Sequence, residues 1–286
     1  MRIVCFNGNK IGVVGRGETV VDVSDLCEGI GDWPPVSMIK MISRFEALRP
    51  QLEKRVNEGK GVPIAQVRLE APITWPNKLI AIPVNYHAHA VEMSSPAISS
   101  VAGFFLKSNS SLSGPQDDIV LPDLPTREIH HEAELGVIIG KGGRHIGKQD
   151  AHKHIFGFCC LLDITVRGKQ ERVMRKSYDT FCPTGPWIIT LDEVPDYANL
   201  DIRLDVSGEP RQAANTKSMI LGTDEIIEMC SSAMTLYPGD VIATGTCEGV
   251  GPIRDGDSVN ITIAKVGSMS VKVRQGKGGR NVAIPE

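Results

Sequence analysis

The stretch Glu128-Ile129-His130-His131-Glu132-Ala133-Glu134-Leu135-Gly136-Val137-Ile138-Ile139-Gly140 reads as a β-strand that carries chemistry. A strand's period of two places Glu132, Glu134 and Gly136 on one face, and Ala133, Leu135, Val137 and Ile139 on the other. Two carboxylates then crowd together beside a glycine that keeps space open. Like charges that close repel, so the arrangement is costly unless a cation or bound protons compensate it. A hard divalent ion with oxygen ligands is the simplest compensation. Taken alone, the segment is equally compatible with a half-exposed strand bearing solvated glutamates. It is not a zinc-protease motif, because the second histidine of HExxH would fall at Leu135.

A third oxygen ligand has to come from elsewhere in the chain, and the candidate is Asp163 in Phe158-Cys159-Cys160-Leu161-Leu162-Asp163-Ile164-Thr165. An acid in so apolar a run needs a partner, since burying an unpaired carboxylate is costly. Either a cation shared with Glu132 and Glu134 or an ion pair with Arg167 supplies one.

Strand-like segments surround these acids. They are expected over 79–84, 103–107, 118–121, 132–139, 156–166, 187–190, 200–206, 240–244 and 258–273. A helix is expected over 222–237, capped by Thr223 or Asp224, with Ile226, Ile227, Cys230 and Met234 at helical spacing. Nearer the start, Arg2 to Phe6 and Lys10 to Val14 flank Asn7-Gly8-Asn9, a hairpin signal. Residues 37–58 mix apolar and charged side chains at helical spacing. The chain therefore reads as α+β and predominantly β, with a small α+β domain over 1–75 and a larger β-rich domain over 76–286. There is no internal repeat, and the Gly276-Lys277-Gly278-Gly279-Arg280 tail is expected to be mobile.

Composition narrows the function. With 41% hydrophobic and 23% charged residues over 286 positions, the chain can bury a sizeable core. A formal net charge of -3 gives no basic field to hold a polyanion, which excludes nucleic acid as the main partner. No apolar run is long enough to span a bilayer and no export signal opens the chain, so a cytoplasmic protein without a membrane partner is expected. The seven cysteines form no CxxC framework, which argues against a zinc ribbon or disulfide scaffold, and adjacent Cys159 and Cys160 read as small core residues.

Two further features bear on chemistry. His89 and Glu92 lie three apart, so in a helix they share a face, and a carboxylate beside imidazole orients it as a general base for water. The same spacing also describes an ordinary surface pair. The loop Thr244-Gly245-Thr246-Cys247-Glu248-Gly249-Val250-Gly251 lacks the Gly-Lys-Ser/Thr ending of a phosphate loop, so its glycines read as turn formers.

Over residues 78 to about 265 the sequence resembles the fumarylacetoacetate hydrolase superfamily. The matching blocks are Asn85-Tyr86 with His89 and Glu92, Phe105-Leu106-Lys107, the run from His130 to Lys141, and Asp163 with Arg167 and Gln170. They continue through Lys176 to Pro183, Arg211-Gln212, Pro238-Gly239-Asp240 and Thr244-Gly245-Thr246. The resemblance implies a mixed β-sandwich roll that holds magnesium or manganese, with calcium a third option, through Glu132, Glu134 and Asp163. It implies that Tyr86, Arg167, Gln170, Lys176 and Thr246 face a small 2-oxo acid substrate, and that His89 and Glu92 form a catalytic dyad on a lid. It also implies a homodimer.

The sequence departs from the family pattern at four places. Pro83 stands where glycine is usual, Ser108 follows Lys107 in place of proline, Gly168 replaces an acid after Arg167, and Cys247 replaces a proline after Thr246, which is expected to loosen that turn. The leading expectation is hydrolysis of a carbon–carbon bond in a 1,3-diketo acid such as an acylpyruvate or fumarylpyruvate. Decarboxylation of oxaloacetate, hydration or isomerisation of a 2-oxo dienoate, and an inactive keto-acid binding protein are the alternatives.

Overall fold

The computed structural model describes residues 1–94, 98–124 and 126–277. Most of the expected tail lies outside the described residues.

The Ala133–Ile139 strand sits inside the largest sheet, buried along its whole length. It pairs antiparallel with Ile155–Leu162 on one side and with Val241–Ala243 on the other. The twelve-stranded sheet runs in the order Val62–Pro63, Thr19–Asp22, Lys10–Val14, Arg2–Phe6, Cys182–Thr190, Ile155–Leu162, Ala133–Ile139, Val241–Ala243, Leu79–Ala81 and Phe105–Lys107, with two short strands off this path. The half-exposed reading of the acidic strand is thereby overturned, because neighbours on both edges and layers on both faces leave no solvated side.

Alternation sorts the core. Ala133, Leu135, Val137 and Ile139 join one apolar cluster with Ile202, Leu204, Val259, Ile261 and Val271. Those partners belong to a five-stranded sheet of Glu209–Asn215, Asp201–Val206, Ser258–Ile263, Gly267–Gln275 and Ile119–Leu121. Ile138 turns the other way, into a cluster with Met38, Met41, Leu48 and Leu52 from two helices, Ser37–Ser43 and Phe45–Asn57. The fold is α+β, predominantly β, and layered as the sandwich expectation has it. One cysteine of the Cys159-Cys160 pair enters each cluster, and all seven cysteines are free thiols.

Gly136 does not hold space open for a ligand. A β-carbon there would lie 2.7 Å from Cys159 Sγ, so the absent side chain makes room for the cross-strand cysteine. The single helix expected over 37–58 is interrupted at Arg44. The later helix spans Thr223–Ala233 and is capped by Gly222, whose N–H donates to Glu225 at 2.8 Å, rather than by Thr223 or Asp224. The hairpin forms, with Asn7, Gly8 and Asn9 all at positive φ.

The expected boundary at 75/76 falls in a stretch without helix or strand. The sheet crosses it, pairing Arg2 with Ile189 and Ile3 with Ile188, and Ile3, Leu79, Phe156 and Ile188 share one cluster. Among the described residues no helix is long and apolar enough to cross a membrane.

Pairing breaks where the acids stand. Ala133 pairs with Leu162, but the preceding Ile129–His131 and the following Thr165–Val166 pair in a separate three-stranded sheet. Glu132 occupies the joint in one chain segment and Asp163 that in the other, with Asp163 N–H donating to Glu132 O at 2.9 Å. The kink between two sheets brings together acids from distant parts of the chain.

Candidate active site

Glu132, Glu134 and Asp163 are all buried and offer one carboxylate oxygen each within 4.8 Å of the others. Lys176 Nζ donates to Glu132 Oε2 at 2.6 Å and to Asp163 Oδ2 at 2.7 Å. Lys107, buried in the Phe105–Lys107 strand, donates to Asp163 Oδ1 and, at 3.0 Å, to Phe181 O. Arg167 Nη2 lies 3.2 Å from Glu132 Oε1, yet neither Nη2 nor Nε makes a well-aligned hydrogen bond. Asp163 thus pairs with two lysines, and Arg167 pairs with Glu132 rather than with Asp163.

Glu134 differs from its neighbours. No basic side chain pairs with it among the described residues, and its one hydrogen bond comes from Gly245 N–H at 2.7 Å. Burial, reinforced by the charges of Asp163 and Glu132, pushes its carboxyl well above the usual range. Burial acts on Glu132 in the same direction, but the Lys176 and Arg167 charges outweigh it and hold that carboxyl low. Three close carboxylate oxygens, one lacking a cationic partner, suit a hard divalent cation.

The segment after Val241–Ala243 completes the floor. Gly245 has φ +92, and a β-carbon there would lie 2.6 Å from Asn85 Cβ, so only glycine lets the loop pass this segment. Gln212 ties the floor together. Its Oε1 accepts from Ala133 N–H at 3.0 Å, and its Nε2 donates to Thr246 Oγ1 at 2.8 Å and to Cys247 O at 2.9 Å. Thr246 Oγ1 in turn donates to Ala133 O at 3.0 Å. Cys247 is therefore pinned by Gln212, which corrects the expectation of a loosened turn.

A short helix, His87–Glu92, forms the roof. His89 Nδ1 donates to Glu92 Oε2 at 2.8 Å, and Glu92 Oε1 accepts from Gly249 N–H at 2.9 Å, latching the helix to the floor loop. Val84 enters the helix segment at φ +47, a sparsely populated conformation for a β-branched residue, and its carbonyl accepts from Ser99 N–H at 3.1 Å.

A cavity of about 440 Å³ is lined by His89, Glu132, Glu134, Asp163, Arg167, Lys176 and Thr246 together with Pro83, Phe105, Arg172 and Arg175. Glu92 stands behind His89. Tyr86 and Gln170, expected at the substrate, do not line it. Tyr86 is buried, bridges to Met219 and leaves its hydroxyl unpaired. A β-carbon on Gly168 would lie 2.7 Å from Gln170 Oε1, so the small residue at 168 leaves that space to the Gln170 amide. Lys107 and Gln212 were visible in the sequence only as members of matching blocks, with no role attached. Arg172 carried no signal beyond its charge.

The profile described as fumarylacetoacetate (FAA) hydrolase C-terminal matches residues 78–274. A maleylpyruvate hydrolase of Aquipseudomonas alcaligenes is 38% identical over 287 residues, 96% of this chain and 99% of that protein. A mitochondrial oxaloacetate tautomerase of Homo sapiens is 40% identical over 294 residues, 96% of this chain and 91% of the relative. The crystal structure of maleylpyruvate hydrolase from Sphingobium sp. SYK-6 with manganese(II) and pyruvate superposes with a TM-score of 0.89 at 49% identity, covering 97% of this chain and all of that one.

Proposed function

The chain belongs to the fumarylacetoacetate hydrolase family, and from that premise we propose that it is a divalent-metal-dependent hydrolase that cleaves the carbon–carbon bond of an acylpyruvate. The observation that carries this reading is His89, held by Glu92, facing the same cavity as the Glu132, Glu134 and Asp163 cluster. Manganese or magnesium at those three carboxylates supplies Lewis acidity toward the 2-oxo acid end of the substrate.

The protein's own groups then have distinct tasks. Because His89 Nδ1–H is directed to Glu92, its Nε2 is the basic atom and takes a proton from water. The hydroxide equivalent adds to the distal carbonyl, the bond between that carbon and the pyruvate methylene breaks, and the methylene carbon takes up a proton. Products are a carboxylic acid and pyruvate. Arg167, which lines the cavity beside Glu132, offers its charge to the substrate carboxylate. Lys176 bridges Glu132 and Asp163 and fixes their separation. The enzyme is proposed to work as a cytoplasmic homodimer. Its unpaired thiols fit a reducing compartment, and exposed Val101 and Leu106 near the Phe105–Lys107 sheet edge fit pairing of two chains.

A second reading is action on oxaloacetate, either tautomerisation, the activity in the human relative's name, or decarboxylation. It needs the keto acid held in the same way but no attacking water. His89→Ala is expected to lower acylpyruvate hydrolysis by roughly 10²- to 10⁴-fold on manganese-loaded protein, and to affect oxaloacetate decarboxylation far less. Hydrolysis at the parent rate in that variant removes the dyad from catalysis. A parent that releases no pyruvate from any acylpyruvate but converts oxaloacetate fits the second reading.

Arg167 and Lys176 are expected to separate kinetically. Arg167→Met should raise KM for the keto acid, losing a charge-assisted contact of about 1.5 to 3 kcal/mol, with manganese affinity little changed. Lys176→Met should weaken manganese binding as well, because it loosens two of the ligands. Calorimetric titration beside steady-state kinetics checks both, and identical behaviour of the two variants would contradict the division of roles.

A further inference from the structure

The cationic groups of the cavity are not all accounted for by its acids. Lys107 and Lys176 pair with Asp163, and Lys176 and Arg167 pair with Glu132. Arg175 is tied to the backbone, donating through Nε to Gln170 O at 2.8 Å and through Nη1 to Val166 O at 3.2 Å. Arg172 forms no ion pair or hydrogen bond among the described residues, yet it lines the same cavity. Its guanidinium lies over the Phe105 ring, 5.4 Å from the centroid. Stacking orients the planar group while leaving its edge donors available, the geometry in which arginine receives a carboxylate through two parallel bonds.

The Arg172–Lys176 helix puts residues three and four apart on one side, so Arg172 shares a face with Arg175 and Lys176. Burial, followed by the nearby charges of Arg167 and Arg172, lowers the pKa of Arg175. The wall therefore gathers more positive charge than the protein's own carboxylates neutralise there, and an anionic group on the ligand is the natural complement.

We propose that Arg172 is a specificity-determining residue: stacked on Phe105, it binds a second carboxylate at the acyl end of the substrate, so that the enzyme selects acylpyruvates whose acyl group is itself an acid. The assignment rests on the acylpyruvate reading above and deepens it. One carboxylate goes to Arg167 at the keto-acid end, and Arg172 receives the other.

The test compares a dicarboxylic probe, maleylpyruvate or fumarylpyruvate, with the monocarboxylic acetylpyruvate on manganese-loaded parent, Arg172→Met and Arg172→Lys proteins. Arg172→Met is expected to lower kcat/KM for the dicarboxylic substrate about 10- to 100-fold, mainly through KM, as expected for loss of a charge-assisted hydrogen bond. Acetylpyruvate should be turned over as before, and Arg172→Lys should recover part of the loss. Equal losses on both substrates, or no loss on either, overturn the assignment. Calorimetric binding of the same probes gives a readout without turnover. A parent that hydrolyses neither probe, yet loses dicarboxylate affinity in Arg172→Met, sinks the hydrolase reading and retains the Arg172 contact. A parent that binds both probes equally well sinks the contact.

Discussion

Glu134→Ala is expected to abolish measurable manganese binding and nearly all metal-dependent turnover while leaving the protein folded. The other two carboxylates of the cluster have resident cations, Lys176 with Arg167 for Glu132 and Lys107 with Lys176 for Asp163. Glu134 has only the Gly245 N–H and is pushed toward its neutral form by burial and by the acids beside it. A divalent ion is what makes its ionised form favourable. Removing it takes away one ligand in three and relieves repulsion in the metal-free protein. The affinity loss should exceed the roughly 10- to 100-fold that follows from disturbing groups behind the ligands. Titration of EDTA-treated protein with manganese measures the affinity, and thermal unfolding with and without manganese reads the linkage. The parent should gain about 2.7 kcal/mol at a hundredfold excess over Kd, and the variant almost nothing. Parent-like manganese affinity in Glu134→Ala would show that the ion binds elsewhere.

Lys107→Met should give the largest stability loss, about 3 to 5 kcal/mol, the range for removing one partner of a buried ion pair. The ammonium is fully enclosed, and although burial disfavours its charge, Asp163 more than compensates. Truncation leaves Asp163 Oδ1 and the carbonyl of Phe181 without their donor in a buried site, and leaves Lys176 as the one cation facing both Asp163 and Glu132. Asp163→Asn in the same chain should recover much of the loss, since it removes the buried charge that Lys107 helped to neutralise, although it cannot restore the metal site. Urea unfolding of the single and double variants in EDTA gives the comparison. A single variant as stable as the parent would mean that Lys107 is not paired in solution.

The acidic strand and its alternation were legible because a period of two survives in any local window: the apolar side chains that the sequence assigns to one face meet the five-stranded sheet together. Burial on both faces was not legible, since it depends on neighbours such as Val241–Ala243, about a hundred residues later in the chain. Glu132, Glu134 and Asp163 could be named because unpaired acids in apolar runs are locally anomalous. Lys107 and Gln212 follow no such local rule. Their partners stand 56 and 79 residues away, and the meaning of each appears only when the strands are side by side. Gly136 misled for a related reason. A missing side chain leaves room for something, but the sequence does not say for what, and here it is a cysteine on the next strand. Tyr86 and Gln170 belong to matching blocks, and neither lines the cavity described above, a placement that no local pattern carries.

The Gln212 amide has a fixed orientation, because Ala133 N–H can only donate and so must meet the carbonyl end. That leaves its nitrogen to donate to Thr246 Oγ1, whose own hydrogen is directed to Ala133 O. The threonine hydroxyl thus has its proton engaged, and an oxygen approaching from the cavity meets a lone pair. Such a group can accept from water, an enol or a protonated acid but has no proton left for an oxyanion, a polarity set by a glutamine on a strand of the neighbouring sheet.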